Sequence, residues 1–271
     1  MTAFALMQLL PPGAAIQGGS VRLLGEEMVG TAPAKLRDMR GRTMGLILQE
    51  PMTALNPVRT VGSQLAEAIR RHIPMSRAKT RSRVLELLDL VGIPDPAARA
   101  ASYPHMFSGG MRQRVMIAIA VACNPKLLIA DEPTTALDVT IQAQVLELLG
   151  RLQKQLGMGL LLITHDLGVV ADWADQVAVM YAGRIVEQGG AAEVLGTPAH
   201  PYTAGLLGAS VGQAHYTTAR LKEIPGSVAS AITAPGCPFA PRCNRHIADC
   251  DATVPQLHAV APSHDAACIR A

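Results

Sequence analysis

The opening stretch, Met1 to Leu10, is apolar on nearly every face and stops at Pro11-Pro12-Gly13, the pattern of a helix buried within a larger fold. Ile16 to Met28 alternate loosely around Gly18-Gly19 and Gly25, which predicts a short hairpin, and Met44 to Leu48 form an apolar run of strand length. From Arg59 the period changes. Val61, Leu65 and Ile69 share one helical face, and Ser76 then precedes a second helix carrying Val84, Leu87, Leu88 and Val91 and stopping at Gly92. A further helix is predicted over Met111 to Cys123, then an apolar run at Leu127 to Ala130, a helix through Val145 to Leu156, and two more runs at Leu160 to Ile163 and Val177 to Tyr181. Short continuous apolar runs alternating with helices predict a parallel sheet covered on both faces, an α/β fold. Beyond Gly189 the sequence turns irregular and Pro-, His- and Cys-bearing, with two brief helical stretches. An extension of roughly 80 residues of this kind needs something to pin it.

Composition narrows the class. A chain of 271 residues that is 49% hydrophobic can bury a substantial core. Its longest purely apolar run, Val115 to Cys123, is about half of what a membrane-spanning helix needs and meets Asn124-Pro125 at once. No crossing segment is predicted. The first residues lack the basic region and cleavage site of a secretory signal, so a cytoplasmic location is expected. A net charge of +3 with 3% aromatics argues against nucleic acid as a partner, since there is neither a concentrated basic stripe nor a stacking surface. The basic run Arg77 to Arg83 reads as the solvated face of a helix.

Three short stretches carry chemistry. Leu127 to Glu132 (LLIADE) is a buried strand that delivers Asp131 and Glu132 at its C-terminal edge, where ligands bind in open parallel sheets. In nucleotide hydrolysis the first carboxylate can hold Mg²⁺ through water and the second can polarise the attacking water. Ser108-Gly109-Gly110 opens a helix whose first amides are free to meet a phosphate, and Thr164-His165-Asp166 ends another strand at the same sheet edge. Taken singly, each has an ordinary structural reading: an acidic pair that caps a helix, a plain helix start, a packed histidine.

Set in order, the stretches resemble the nucleotide-binding domain of ABC ATPases over most of the chain: Gln49 in ILQEP, FSGGMRQR from Phe107, LLIADEP from Leu127, ALD from Ala136 and ITHD from Ile163. The resemblance implies a RecA-like P-loop core of ABC type with an inserted helical subdomain and a Cys-rich C-terminal extension. It implies that Gln49 senses Mg²⁺ and the γ-phosphate, Asp131 supports Mg²⁺, Glu132 is the catalytic base and His165 contacts the γ-phosphate. Ser108, Gly109, Gly110 and Asp138 would serve the nucleotide of an opposing subunit, with Gln113 of the same stretch grouped among the nucleotide contacts. Phe107 stands where the family usually has leucine. The implied partition is 1–52 and 124–189 for the ATPase core, 53–123 for the helical subdomain and 190–271 for the extension.

The family's phosphate-binding loop, G-x-x-x-x-G-K-[ST], does not occur in these 271 residues, nor does an adenine-stacking strand before it. Met1 to Pro12 resembles the helix that follows that loop, so the reading frame is expected to extend upstream of Met1. If it does not, the chain is a non-hydrolysing regulatory or scaffold partner. A soluble ABC factor without membrane partners would need tandem ATPase domains or long arms, and neither is present. QEPMTALNP from Gln49, HPYTAGLL from His200 and the cysteine-bearing tail resemble the ATPases of peptide and nickel importers. That implies ATP and Mg²⁺ as ligands, a second ABC ATPase subunit in a heterodimer, two transmembrane permease subunits and an extracytoplasmic substrate-binding protein. Four of the five cysteines, Cys237, Cys243, Cys250 and Cys268, cluster in the tail. In a cytosolic protein such a set points to metal rather than disulfides. The spacing is wider than that of ordinary zinc pairs, and the resemblance, since related ATPases carry an iron-sulfur cluster in a similar tail, implies such a cluster ahead of zinc. Cys123, among apolar neighbours in a helix, reads as a core residue.

Overall fold

A computed structural model of the chain describes residues 1–49, 54–135, 137–209, 223–232 and 234–271. Residues 50–53 of the Gln49 motif and Ala136 of the ALD motif lie outside the described residues. The chain divides into two compact units, Met1–His165 and Asp166–Ala271.

The first unit opens with α1 (Thr2–Leu6), the strands β1 (Arg22–Leu23) and β2 (Glu26–Glu27), and α2 (Pro33–Arg42). The helix α1 is shorter than the apolar run that announces it, because Gln8 takes a left-handed conformation (φ 54°) that ends it. Its Ala3 is fully buried. The hairpin closes through Leu24 and Gly25, both at positive φ, the geometry of a two-residue type I′ turn. Nothing in the periodicity points to α2. Its signal is Pro33 at the helix start, where a missing N–H costs nothing.

The sheet of this unit is parallel, in the order β3 (Met44–Ile47), β4 (Leu127–Asp131) and β5 (Gly159–Ile163). Both of its faces are buried, and the alternation is visible residue by residue. Ile47, Leu128, Ala130, Leu160 and Leu162 point into the larger core, whereas Met44, Ile129, Leu161 and Ile163 point into a smaller core with Ala3, Met7 and Met28. Helices α3 (Val61–His72), α4 (Arg77–Leu90), α5 (Pro96–Ala100), α6 (Gly109–Val121) and α7 (Val139–Leu156) supply the rest of the larger core. The predicted faces are the buried ones: Val61, Leu65, Ile69, Leu87, Leu88 and Val91 are all completely inaccessible. All five of these helices begin with the same device, in which the side chains of Thr60, Ser76, Asp95, Ser108 and Asp138 accept from backbone N–H groups three residues on.

The second unit corrects one expectation. Val177 to Tyr181 does not join the parallel sheet; β6 (Gln176–Tyr181) pairs antiparallel with β7 (Arg184–Gly190). The two-residue turn at Ala182-Gly183, both at positive φ, reverses the chain at once and leaves no room for the crossover a parallel pair requires. After α8 (Leu167–Trp173), which precedes β6, the unit continues with α9 (Ala191–Gly196), α10 (Pro201–Ala209), α11 (Asp249–Ala252), β8 (His258–Ala261) and β9 (His264–Ala266). The sheet order is β6-β7-β9-β8. The boundary drawn at 189/190 therefore falls inside this unit: β7 runs to Gly190 and pairs with β9, which periodicity did not reveal in three polar and small residues. Phe239 of the extension packs into the same core as Val179, Tyr181, Val186 and Val194. Among the described residues no helix is long and apolar enough to cross a membrane.

Gly45 is the tightest contact between the parallel sheet and α6, since a Cβ there would meet the carbonyl oxygen of Ala120 directly and the Leu128 side chain at 3.0 Å. A backbone oxygen cannot swing away as a side chain can. Gly45→Ala is expected to destabilise the first unit by about 1–3 kcal/mol through overpacking, read as a lower urea midpoint at unchanged slope.

Candidate functional site

The parallel register sets the site. Ile47, Ala130 and Leu162 lie level across the three strands. Gln49, Glu132 and His165 follow within two or three residues and so emerge at one edge of the sheet, the C-terminal one. They meet: Gln49 Nε2 donates to Glu132 Oε2 at 3.0 Å, and His165 Nδ1 lies 3.3 Å from Glu132 Oε1. A third partner was not singled out from the sequence. Thr135 Oγ1 donates to Glu132 Oε2 at 2.8 Å.

Glu132 is held in the left-handed region (φ 47°), which costs an L residue about 1–2 kcal/mol. Its N–H donates to the Ile163 carbonyl at 2.9 Å, extending the pairing of β4 with β5 by one bond before the chain turns away. The Thr135 hydroxyl, and after it His165 and Gln49, hold the Glu132 carboxyl below its ordinary range against a burial effect of opposite sign. The carboxylate is thus ionised, three-quarters covered and surrounded by groups that fix its orientation, while the imidazole of His165 is 77% exposed.

Ser108 Oγ accepts from Met111 N–H at 3.3 Å, so Gly109 and Gly110 form the first turn of α6. Asp138 Oδ1 accepts from Ile141 N–H at 2.9 Å and starts α7. The two helix starts touch, because a Cβ on Gly110 would fall 2.8 Å from Ile141 Cγ2. Gln113 lies further along α6. It is buried, and its amide donates to the Pro133 carbonyl at 2.6 Å, bracing the loop that follows Glu132. Asp131 closes β4, half-buried, one residue before Glu132.

In the second unit Cys237, Cys243, Cys250 and Cys268 line one cavity together with His200, Phe239 and Arg245. Cys237 N–H donates to the Cys250 carbonyl at 2.8 Å, and Cys243 and Cys268 accept from the N–H groups of Arg245 and Arg270 at 3.3 and 3.4 Å. Burial raises the thiols of Cys237 and Cys243, and their proximity to the other cysteines adds to the rise. Among the described residues no group of three or more His, Cys, Asp or Glu closes into a site that could hold a metal ion. One lining residue, His200, is held by a buried carboxylate. Glu187 on β7, wholly inaccessible, accepts from the N–H groups of Ala199 (2.6 Å) and His200 (3.1 Å), and its Oε1 lies 2.7 Å from His264 Nε2 on β9. Burial depresses His200 to a pKa of about 4, leaving it neutral at pH 7, with Nδ1 accepting from Tyr202 N–H. Neither Glu187 nor His264 was legible as a functional residue, since each is a lone charge in a polar stretch.

Residues 2–135 match the ABC transporter family, and residues 186–250 match the C-terminal region of oligopeptide/dipeptide transporters. The chain is 48% identical to a dipeptide transport ATP-binding protein of Bacillus subtilis, over 99% of its own length and 80% of the relative's. It is 52% identical to an oligopeptide transport ATP-binding protein of Mycobacterium tuberculosis, over 99% of the chain and 44% of that relative. Among solved structures it is similar to a component of an ABC transporter complex from Clostridium perfringens, with a TM-score of 0.61 and 26% identity, over 72% of this chain and 74% of that one.

Removal of the Glu187 carboxylate strands the His264 ring and two backbone N–H groups in an inaccessible place. Glu187→Ala is expected to cost the second unit about 3–5 kcal/mol, seen in hydrogen exchange as lost protection at residues 184–200 and 258–266.

Proposed function

The chain belongs to the ABC transporter family of ATP-binding proteins, and from that premise we propose that it is the ATP-hydrolysing subunit that energises an importer of di- or oligopeptides. The observation that supports this most directly is the convergence of Gln49 and His165 on the carboxylate of Glu132 at the ends of three neighbouring parallel strands. A carboxylate that is ionised, oriented and partly screened from bulk water suits a general base.

In this reading the attacking water gives its proton to Glu132, its oxygen bonds to the γ-phosphorus, and ADP leaves with the electrons of the broken P–O bond. His165, exposed and beside the carboxylate, donates toward the γ-phosphate oxygens. Asp131 supplies an anionic oxygen for Mg²⁺, and Gln49 reports the state of the same region. Ser108, Gly109, Gly110 and Asp138, at the touching starts of α6 and α7, face the nucleotide of a second ATPase subunit, and residues 53–123 form the helical subdomain. We assign two transmembrane permease subunits and an extracytoplasmic substrate-binding protein as further partners, the chain lying on the cytoplasmic face of the membrane.

The test is turnover by the assembled importer. Glu132→Gln is expected to lower kcat for ATP by roughly a hundredfold or more. Unchanged turnover, with Ser108→Arg abolishing it, would overturn the reading and make this chain the non-hydrolysing partner.

For the tail we propose an iron-sulfur cluster held by Cys237, Cys243, Cys250 and Cys268. Its support is that the four cysteines, far apart in sequence, line one cavity. Bound, the cluster would pin the extension. Anaerobically purified protein is expected to be brown and to carry about four irons, and Cys243→Ser to lose them. A colourless protein with one zinc would overturn the assignment.

A further inference from the structure

We propose that Thr135 is a positioning residue for hydrolysis: its hydroxyl, with the Gln49 amide, occupies one oxygen of Glu132 and so reserves the other, beside His165, to receive the proton of the attacking water. The inference rests on the reading of Glu132 as the base and adds a residue to which no role has been given.

The geometry carries the argument. Two donors converge on Oε2, Thr135 Oγ1 at 2.8 Å and Gln49 Nε2 at 3.0 Å, whereas among the described residues Oε1 has only the longer 3.3 Å approach of His165. A carboxylate oxygen that already accepts two hydrogen bonds is a poorer proton acceptor than its partner. The two oxygens of a free carboxylate are equivalent, and here the donors make them inequivalent. The arrangement is also local. Thr135 N–H donates to the Glu132 carbonyl at 3.2 Å, so the left-handed turn at Glu132 that carries the chain out of the sheet also brings the Thr135 hydroxyl back over the carboxylate three residues earlier. Gln49 reaches the same oxygen from just past the end of β3, 83 residues away in sequence. Thr135 therefore holds the carboxylate through its own loop, and Gln49 adds a contact that depends on the segment after β3.

The test uses the assembled importer. Thr135→Val, which keeps the shape and removes the donor, is expected to lower kcat about tenfold, the loss of one hydrogen bond to a charged group, at an unchanged KM for ATP, with Thr135→Ser, which keeps the donor, restoring it. An unchanged kcat in Thr135→Val, or a loss that Thr135→Ser fails to restore, would overturn the proposal. The reading of Glu132 as the base fails by a different result, unchanged turnover in Glu132→Gln, so the two failures are distinguishable.

Discussion

The site depends on how the chain leaves the sheet at Glu132. Up to Asp131 the backbone follows β4 in register with both neighbours, and one residue later it enters the left-handed region while its N–H still bonds to Ile163. A non-glycine residue in that conformation is strained, and such strain persists only where surroundings over-determine it. Here they do so. The backbone N–H and three side chains, two of them from flanking strands, all act on this one residue.

That turn is connected to the helices on one side of the sheet by a buried amide. Gln113 of α6 spends its side chain on the Pro133 carbonyl, and Gly110 at the start of α6 packs on Ile141 at the start of α7. Any displacement of the α6 start therefore either carries Pro133 with it or leaves a buried polar group unpaired, at a cost of about 1–3 kcal/mol. The residues proposed to meet a partner's nucleotide and the residue proposed as the base belong to one packed piece.

The second unit answers a different problem, that of ordering a segment with few apolar residues. It does so with Tyr181, Tyr202 and Phe239 clustered in tilted and edge-to-face pairs with centroids 4.7–5.5 Å apart, with β9 laid along β7, and with the buried Glu187 tying two backbone amides to His264. The four cysteines line a cavity with Phe239 and His200, one residue from the aromatic cluster and one whose N–H Glu187 holds. Part of the pinning that the sequence pattern demanded is thus already provided by the protein's own side chains.

The sequence by itself determined the elements and the chemistry they carry. Strand and helix periods located β3, β4, β5 and the buried faces of α3 and α4, because burial on both sides of a sheet or on one stripe of a helix leaves a repeat that can be counted. Motifs in order named Gln49, Glu132 and His165, because phosphate chemistry restricts which residue types can serve. Tertiary structure alone decided what is set by contacts remote in sequence or by a local conformation without a period. It decided that β6 reverses onto β7, since a two-residue turn fixes strand direction, and that a polar stretch forms β9, since its pairing partner lies 77 residues away. It buried Gln113 and set its amide against the Pro133 carbonyl. It also set the Thr135 hydroxyl on the Glu132 carboxylate, an outcome of one left-handed residue that no hydrophobic pattern records.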